Sequence, residues 1–371
     1  MTEQKSHPSY SLRRDYVLWA LVFGLIVLTA FAPGKIGTYP QLVDWPTIQV
    51  LLGLLILTSG IEFSGWLSRV SSRIVLHIHS ERTLALFLIL LSVLLAMGLT
   101  NDIALFIVVP LTLSLGRIMV LPLRRLVIFE ALAVNSGSLL VPIGNPQNIF
   151  LWQHSGVSFV AFTWEMLPLF AICFVILAVF TFAAFKAEPL PRNDVPPPIL
   201  DRRLLLVSTL LYLPFLVMAD LHHTAFALGL VALVFLVAAP RILYRVDWPL
   251  LIVFALMFID LRLLAQQAWM AGAIAALKLH QPLGLFATGA LLSQGISNVP
   301  ASILLAGYSN DWAAIAWGVN VGGFGLVTGS LANLIALRIG HQRGNLAAFH
   351  AWAIPFFLLS GLLSCLWLLW H

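Results

Sequence analysis

Two short stretches of this sequence repeat each other at a constant offset of 185 residues, and each interrupts a long apolar segment. Residues 135–148 align with residues 320–333. Four aligned pairs are identical: Asn135 and Asn320, Gly137 and Gly322, Gly144 and Gly329, Asn148 and Asn333. Because Gly and Asn disfavour a continuous helix, the pattern predicts a helix broken at the same depth in two halves of the chain.

The apolar segments around these stretches predict a membrane protein. Of the 371 residues, 60% are apolar and only 9% are charged. Such a chain cannot cover a soluble core without exposing large apolar patches. Runs of about 20 apolar residues, the length that crosses a bilayer core, recur along it, for example at 16–32, 47–65 and 349–370. The fold class expected is therefore an all-α membrane protein with the lipid bilayer as its solvent.

A proline-rich polar segment at residues 186–203 divides the chain into two halves. It contains five prolines and is typical of a linker. We expect a first half at 1–185, a cytoplasmic linker at 186–203 and a second half at 204–371. The two cysteines, Cys173 and Cys365, both lie in apolar runs, which favours packing over a disulfide or a metal cluster.

The positions of Lys and Arg predict how the chain crosses the membrane, since cytoplasmic loops are enriched in these residues. We expect about nine crossings, with a cytoplasmic N-terminus and an external C-terminus. Under that topology 17 of the 20 basic residues lie inside, and Lys35, Arg262 and Lys278 lie outside. This topology requires two apolar segments each to enter and leave the membrane on the same side.

Those two segments, residues 84–115 and 282–307, are predicted to be re-entrant hairpins. Each has a polar tip, at residues 100–102 and 297–298. Irregular backbone is tolerated at membrane depth where it faces protein or a water-filled cavity. Two short spans are the alternative to the first hairpin.

The two hairpins are expected to enter from opposite faces of the membrane, because an odd number of crossings separates them. The halves then form two inverted repeats, each with one hairpin and one broken helix, at 126–152 and 312–337. Ligand sites in such proteins lie near mid-membrane, between the repeats. The pattern therefore indicates a secondary transporter.

The sequence Thr100-Asn101-Asp102, followed by residues 138–148, resembles the ion transporter superfamily. That group includes citrate/dicarboxylate-sodium symporters, arsenite-antimonite efflux proteins and related sodium-proton antiporters. The resemblance covers nearly the whole chain and is most specific at Gly-Asn-Pro-Gln-Asn, residues 144–148. Within the group, the chain is similar to compact bacterial inner-membrane members of the citrate-transporter-like (CitM-type) family. The resemblance implies a multi-pass inner-membrane transporter and a homodimer.

In that superfamily each hairpin has a Ser-Asn-Thr type tip beside a broken helix. The resemblance implies that residues 100–102 match one tip and residues 297–299 the other, with breaks at 137–148 and 322–333. Two positions depart from the family pattern. Asp102 stands where the family has a neutral hydroxyl residue, and Val299 lacks the hydroxyl of the second tip.

The site chemistry also follows from the residue types. A broken helix frees carbonyl groups that bind a hard cation and N–H groups whose dipole favours an anion. Asn, Ser and Thr side chains complete such a site, and Gly allows a ligand to approach the backbone. The candidate binding residues are Thr100, Asn101, Asp102, Asn135, Gly137, Ser138, Gly144, Asn145, Pro146, Asn148, Ser297, Asn298, Asn320, Gly322, Gly323, Thr328, Gly329, Ser330 and Asn333. Na⁺ is expected at Asn101, Asp102 and Asn298. The alternative for the glycines is helix packing, and for the outer Asn residues it is closing off the broken helices.

Acidic residues at membrane depth are costly and are candidates for function. Asp102 is the main candidate, because at a hairpin tip it can bind Na⁺ or carry a proton. Three more, Glu62, Glu130 and Asp260, are assigned to structural roles. We expect Glu130, five residues from Arg125, to snorkel or to pair as a structural acid, and Glu62 and Asp260 to bond to backbone groups or to Arg69 and Arg262.

The function indicated is coupled transport of a small anion, with Na⁺ or H⁺ as the coupling ion and with no other cofactor. Arsenite-type efflux or Na⁺/H⁺ antiport is the alternative, for which Asp102 is more natural than for carboxylate capture. A membrane enzyme or receptor is disfavoured, because the sequence has no nucleophile and base set, no metal-ligand spacing and no soluble sensor domain. The basic residues are spread among inner loops, which excludes a nucleic-acid partner.

Overall fold

A computed structural model describes residues 16–31, 33–66, 69, 78, 80–116, 120–189, 200–246, 248–267, 281–340 and 346–370. Apart from one isolated bridge between Ser80 and Pro189, the regular structure in these ranges is helical. The all-α class is therefore confirmed. Residues 70–77 and most of the predicted linker lie outside the described residues.

The first half contains eight α-helices among the described residues. These are α1 (Tyr16–Phe31), α2 (Tyr39–Leu42), α3 (Trp45–Phe63), α4 (Glu81–Gly98), α5 (Asn101–Leu115), α6 (Leu123–Ser138), α7 (Pro146–Ser155) and α8 (Phe159–Ala184). The second half contains α9 (Arg202–Asp220), α10 (Thr224–Ala238), α11 (Pro240–Leu243), α12 (Trp248–Ala265), α13 (Pro282–Ile296), α14 (Asn298–Ala306), α15 (Trp312–Gly322), α16 (Leu331–Ile339) and α17 (Leu346–Trp370).

Several helices have the length and composition of membrane spans. In the described ranges, four are long and apolar enough to cross a bilayer: α4, α8, α9 and α17. A fifth span is obtained if the bent pair 33–42 and 45–61 is counted as one. Shorter apolar helices, including α5, α10 and α13, lie among them. The protein is therefore a membrane protein, and the nine-crossing topology stays a prediction.

The two segments predicted as hairpins are pairs of packed helices. In the first, α4 and α5 are joined through Leu99 and Thr100. In the second, α13 and α14 are joined at Ser297 alone, whose φ of 73° places a non-glycine residue in a sparsely populated backbone region.

Each predicted broken helix is also two helices. The first break separates α6 from α7, and the second separates α15 from α16, with a short 3₁₀ turn at Val327–Gly329 between them. Pro146 begins α7, where its missing N–H costs nothing, and the Asn145 side chain accepts from the Asn148 N–H at 2.9 Å. Local sequence thus fixes where the first break ends.

Glycines allow each hairpin to pack directly on the broken helix of its own half. A Cβ atom at Gly137 of α6 would lie 2.3 Å from the Val93 carbonyl oxygen in α4. In the second half, a Cβ atom at Gly322 would lie 2.7 Å from the Ala290 carbonyl oxygen in α13. No side chain fits at either contact. Both glycines therefore serve helix packing, the alternative raised from the sequence.

The remaining helices surround this central group. Helix α3 packs against α9 and α10, while α1 packs against α12. The beginning of α3 is tied to the end of α12 by an ion pair between Asp44 and Arg262, at 3.2 Å. Helices α8 and α17 pack on each other and on α6.

Candidate functional site

A small cavity lies where the two hairpins meet the two broken helices. Four helices begin at it, because their first residues or N-caps line it: α5 at Asn101, α7 at Pro146, α14 at Asn298 and α16 at Ser330 and Leu331. The remaining lining residues are Asp102, Gln147, Leu250, Phe254, Val299 and Ala332. The cavity thus joins both hairpin tips, both broken helices and one apolar wall from α12.

The electrostatics of the cavity are set by those four helix ends. The first turn of a helix leaves N–H groups without intrahelical partners, and its dipole places about half a positive charge there. Among the described lining residues the one ionisable side chain is Asp102. Positive potential in the cavity therefore comes from backbone dipoles and not from Lys or Arg side chains.

The first hairpin tip is fixed to the first break by its backbone. The Asn101 N–H donates to the Gly144 carbonyl oxygen at 2.8 Å, and the Asn101 Oδ1 accepts from the Asp102 N–H at 2.9 Å. At the second tip, the Asn298 Nδ2 lies 3.2 Å from the place a Cβ of Gly323 would occupy. Each tip therefore sits directly against the break of its own half.

Buried amides tie the two broken helices together. The Asn145 Nδ2 donates to Asn320 Oδ1 at 3.0 Å, and the Asn320 Nδ2 donates to Asn148 Oδ1 at 2.7 Å. The Asn135 Nδ2 donates to Asn333 Oδ1 at 2.8 Å. All five side chains are buried. The repeated Asn residues thus bond across the two halves, which satisfies their own amide groups at membrane depth.

The predicted site residues divide into two groups. Those that line the cavity are Asn101, Asp102, Pro146, Asn298 and Ser330. Those placed outside its lining are Thr100, Asn135, Gly137, Ser138, Gly144, Asn145, Asn148, Ser297, Asn320, Gly322, Gly323, Thr328, Gly329 and Asn333. Most of the second group is buried, whereas Thr328 is exposed and donates to the Gln294 carbonyl oxygen at 2.7 Å.

Sequence reasoning missed three polar residues at or near the site. Gln147 lines the cavity, Gln294 bonds the second break, and Tyr212 of α9 donates to the Gly98 carbonyl oxygen beside the first tip. The sequence carries one further signal for the hairpin tips, a short repeat. Gly-Leu-Thr-Asn at 98–101 and Gly-Ile-Ser-Asn at 295–298 repeat at an offset of 197 residues.

The buried acids lie away from the cavity. Glu130 accepts from the Thr112 hydroxyl of α5, while Arg125 donates to the Ala184 carbonyl oxygen, so of the two alternatives for Glu130 the pairing with Arg125 is wrong. Asp260 faces Gly24 of α1, and Arg262 pairs with Asp44. The Glu62 side chain lies outside the described residues.

The chemistry of the donor set bears on the predicted sodium site. In the described part of the chain, no group of three His, Cys, Asp or Glu side chains is arranged to hold a metal ion. A Na⁺ ion at the tips would therefore depend on amide and backbone oxygens together with Asp102. That site stays a prediction.

Comparison with known proteins gives the family. Residues 15–317 match the sequence profile of the family described as citrate transporter. The inner membrane protein YbiR of Escherichia coli (strain K12) is 42% identical over 355 residues, which cover 95% of each chain. The uncharacterized transporter MJ0456 of Methanocaldococcus jannaschii is 33% identical over 319 residues, which cover 83% of this chain and 85% of that protein. The uncharacterized transporter Rv2684 of Mycobacterium tuberculosis is 23% identical over 357 residues. The resemblance predicted from the tip and the Gly-Asn-Pro-Gln-Asn motif is confirmed, and the chain belongs to the citrate transporter family of membrane transporters.

Proposed function

We propose that this protein is a secondary active transporter that moves a small anion, a carboxylate or an inorganic oxyanion, by alternating access. The coupling ion is Na⁺ or H⁺. The observation that carries the proposal is the meeting of four helix N-termini at one cavity. This geometry favours negative charge without any basic side chain among the described lining residues.

A comparison of magnitudes supports an anionic ligand. Four helix ends of about half a charge each contribute about two positive charges. The single carboxylate of Asp102 contributes at most one negative charge. The net charge at the cavity stays positive, so an anion with one or two charges is attracted even when Asp102 is ionised. Membership of a transporter family agrees with a transported ligand.

The arrangement of the halves supports alternating access. We propose that the chain consists of two inverted repeats, residues 1–185 and 204–371, with hairpins that enter from opposite faces. The central body would comprise α4–α7 and α13–α16, and the surrounding helices would form the scaffold. Leu250 and Phe254 of α12 would then be scaffold residues that close one side of the cavity. The cytoplasmic N-terminus, external C-terminus and homodimer belong to the same proposal.

One observation favours a second function. Asp102 lines the cavity, and a carboxylate is suited to bind Na⁺ or a proton. Arsenite-type efflux or Na⁺/H⁺ antiport is therefore the second candidate. It differs from the first in a measurable way, because an antiporter needs no anion in order to move protons.

Flux measurements in proteoliposomes test the proposal. Small anions are supplied under an imposed Na⁺ or H⁺ gradient, with the native chain, Asn298→Ala and Asp102→Asn. We expect anion uptake driven by one gradient and lost in Asn298→Ala. Asn310→Ala is the control, because Asn310 lies in an exposed loop outside the central cavity.

The outcomes separate the two candidates. Loss of coupling with residual anion exchange in Asp102→Asn would assign the coupling ion to that residue. Cation-dependent proton movement in the absence of every anion, abolished by Asp102→Asn, would favour the antiporter. Normal anion uptake in Asn298→Ala would place the binding site elsewhere.

A further inference from the structure

Glu130 is the least exposed acidic side chain in the described part of the chain. It lies in α6 and is 0% exposed, whereas the next least exposed acid, Asp260, is 6% exposed. One carboxyl oxygen, Oε1, accepts from the Thr112 hydroxyl of α5. The other, Oε2, is buried and has no hydrogen-bond partner among the described residues. An acid buried in this way at membrane depth is costly, which makes Glu130 a candidate for function.

The helices packed against α6 supply no counter-charge to Glu130 in the described ranges. These helices are α4, α5, α8, α16 and α17. Arg82 and Arg125 both donate to backbone carbonyl oxygens, and His350 accepts from a backbone N–H. The Arg338 side chain lies outside the described residues. The other titratable or charged residues on α6 and these helices form no bond with Glu130, and they are Glu81, Asp102, Arg124, Glu165, Cys173 and Cys365.

The packing around Glu130 fits a protonated carboxyl group. An ionised carboxylate accepts hydrogen bonds on both oxygens, whereas a donor reaches only Oε1 among the described residues. A buried charge without a counter-charge costs far more than a neutral polar group with one unpaired atom. Ionisation would therefore draw water into the contact between α5 and α6. The close packing of these two helices depends on a proton at Glu130.

The contact between Glu130 and Thr112 joins the two elements that carry the first tip and the first break. Helix α5 begins at Asn101, beside the central cavity, and Thr112 follows eleven residues later, about 16 Å along the helix. Pro110 lies inside α5, close to Thr112, where it interrupts the helical hydrogen bonds and allows a bend. A change in the charge of Glu130 can therefore alter how α5 presents the tip to the cavity.

The position of Glu130 in α6 gives a route for proton exchange. It lies seven residues after Leu123, which begins α6, and so about 10 Å from that end of the helix. Arg124 and Arg125 lie at the same end, which the proposed topology places on the cytoplasmic side. Protons would therefore reach Glu130 from the cytoplasm and not through the central cavity.

From this arrangement we infer that Glu130 is a proton-binding site, and that its proton holds the first hairpin in the form that binds the anion. The proton comes from cytoplasmic water, adds to a carboxylate oxygen of Glu130 and returns to water when the contact between α5 and α6 opens. No other bond forms or breaks. The inference rests on the proposed function, because it takes the central cavity to be the anion site. By linkage, an anion that favours the packed form must in turn favour proton binding.

Infrared spectroscopy of the purified full chain tests this site directly, because a protonated carboxyl group has its own C=O band. We expect such a band in the native protein and its loss in Glu130→Gln. Gln has nearly the same volume and can still accept from the Thr112 hydroxyl, so this variant removes the proton site and keeps the structural bond. Glu165→Gln is the matched control, because it makes the same chemical change at an exposed position and should keep the band.

The response of the band to pH and to an anion tests the link to the hairpin. The band should weaken as the pH is raised and return when succinate or sulfate is added. These probes represent the two proposed classes of anion, and their charges do not change around neutral pH. We expect the native protein to take up about one proton on anion binding, and Glu130→Gln to take up none. If Glu130→Gln does not fold, Thr112→Val identifies the band, because loss of the hydroxyl bond raises its frequency.

The outcomes separate this inference from the proposed function. A band that is absent from the native protein, or that responds to neither pH nor anion, would overturn the inference and leave Glu130 as a structural acid. If anion uptake into proteoliposomes is intact but the band does not respond to the anion, the inference alone fails. If the native protein moves no anion while the band responds to pH, the proposed function and the link to the anion fail, whereas the proton site stands.

Discussion

The two breaks have similar sequences but are stabilised in different ways. In the first, the Asn148 Nδ2 donates to the carbonyl oxygens of Ser138, Leu139 and Val141, at 3.1–3.3 Å. This break is closed mainly by a residue that immediately follows it. In the second, the equivalent Asn333 Nδ2 donates to one carbonyl within its break, that of Gly323, at 3.0 Å.

The second break relies instead on neighbouring helices. Gln294 of α13 donates to the carbonyl oxygens of Gly322 and Phe324, at 2.7 and 3.0 Å, and accepts from the Leu326 N–H at 2.7 Å. His350 of α17 accepts from the Val327 N–H at 3.2 Å. The comparison teaches that an internal repeat conserves the need to satisfy free backbone groups but not the side chains that do it.

Filling the glycines of the two breaks should have the largest effect. A Cβ atom at Gly144 would lie 2.1 Å from the Ser138 carbonyl oxygen, and one at Gly329 would lie 2.4 Å from that of Gly322. We expect Gly144→Ala to lower the free energy of unfolding by about 3 kcal/mol, the upper range for overpacking. Gly329→Ala should cost less, because the second break is partly exposed at Leu326 and Thr328 and can relax.

Thermal unfolding in detergent measures this difference. Gly295→Ala is the control, because among the described residues no heavy atom beyond its chain neighbours and its own helix backbone lies within 4 Å of a Cβ placed at Gly295. Equal losses of unfolding free energy in Gly144→Ala and Gly329→Ala would show that the second break is as rigid as the first. The proposed difference between the two breaks would then be wrong.

Removing the amide side chains should have an intermediate effect that also differs between the halves. Asn148→Ala frees three backbone carbonyls and the Asn320 amide, whereas Asn333→Ala frees one carbonyl and the Asn135 amide. We expect the free energy of unfolding to fall by about 2–3 kcal/mol in Asn148→Ala and by about 1–2 kcal/mol in Asn333→Ala, since each buried group left unpaired costs on that order. The same unfolding measurement checks them. A larger loss of unfolding free energy in Asn333→Ala than in Asn148→Ala would contradict the comparison. It would show that the second break, and not the first, depends mainly on its own Asn side chain.

Much of the fold could be predicted because its signals are local. Apolar runs gave the helices, the polar tips gave the hairpin turns, and Pro146 with Asn145 gave the start of α7. Each depends on propensity or capping within a few residues. Helices α13 and α14 lie within residues 282–307, and α15 and α16 lie between residues 312 and 339. That these segments form a re-entrant hairpin and a broken span stays a prediction.

The site was predicted less completely because its bonds are long-range. Asn145 and Asn320 are 175 residues apart in the chain, and nothing in either local sequence shows that each satisfies the other. The local pattern therefore leaves both roles of the repeated Asn residues open, ligand binding and closing off the broken helices. Leu250 and Phe254 line the cavity although their apolar segment resembles any other span.

Gln294 provides the smallest and most specific test of the comparison. Its counterpart at the tip offset of 197 is Met97, so the first half has no equivalent side chain, and a search for repeated residues cannot find it. Gln294→Met should cost about 1 kcal/mol, because Leu326 is 41% exposed and water can replace the bond to its N–H. Met97→Leu should have no measurable effect. Hydrogen exchange at the Leu326 and Val327 amides distinguishes local opening from global loss. We expect faster exchange there in Gln294→Met and unchanged exchange at residues 139–145. Faster exchange at both breaks would mean that they open together, and that Gln294 supports the central body as a whole.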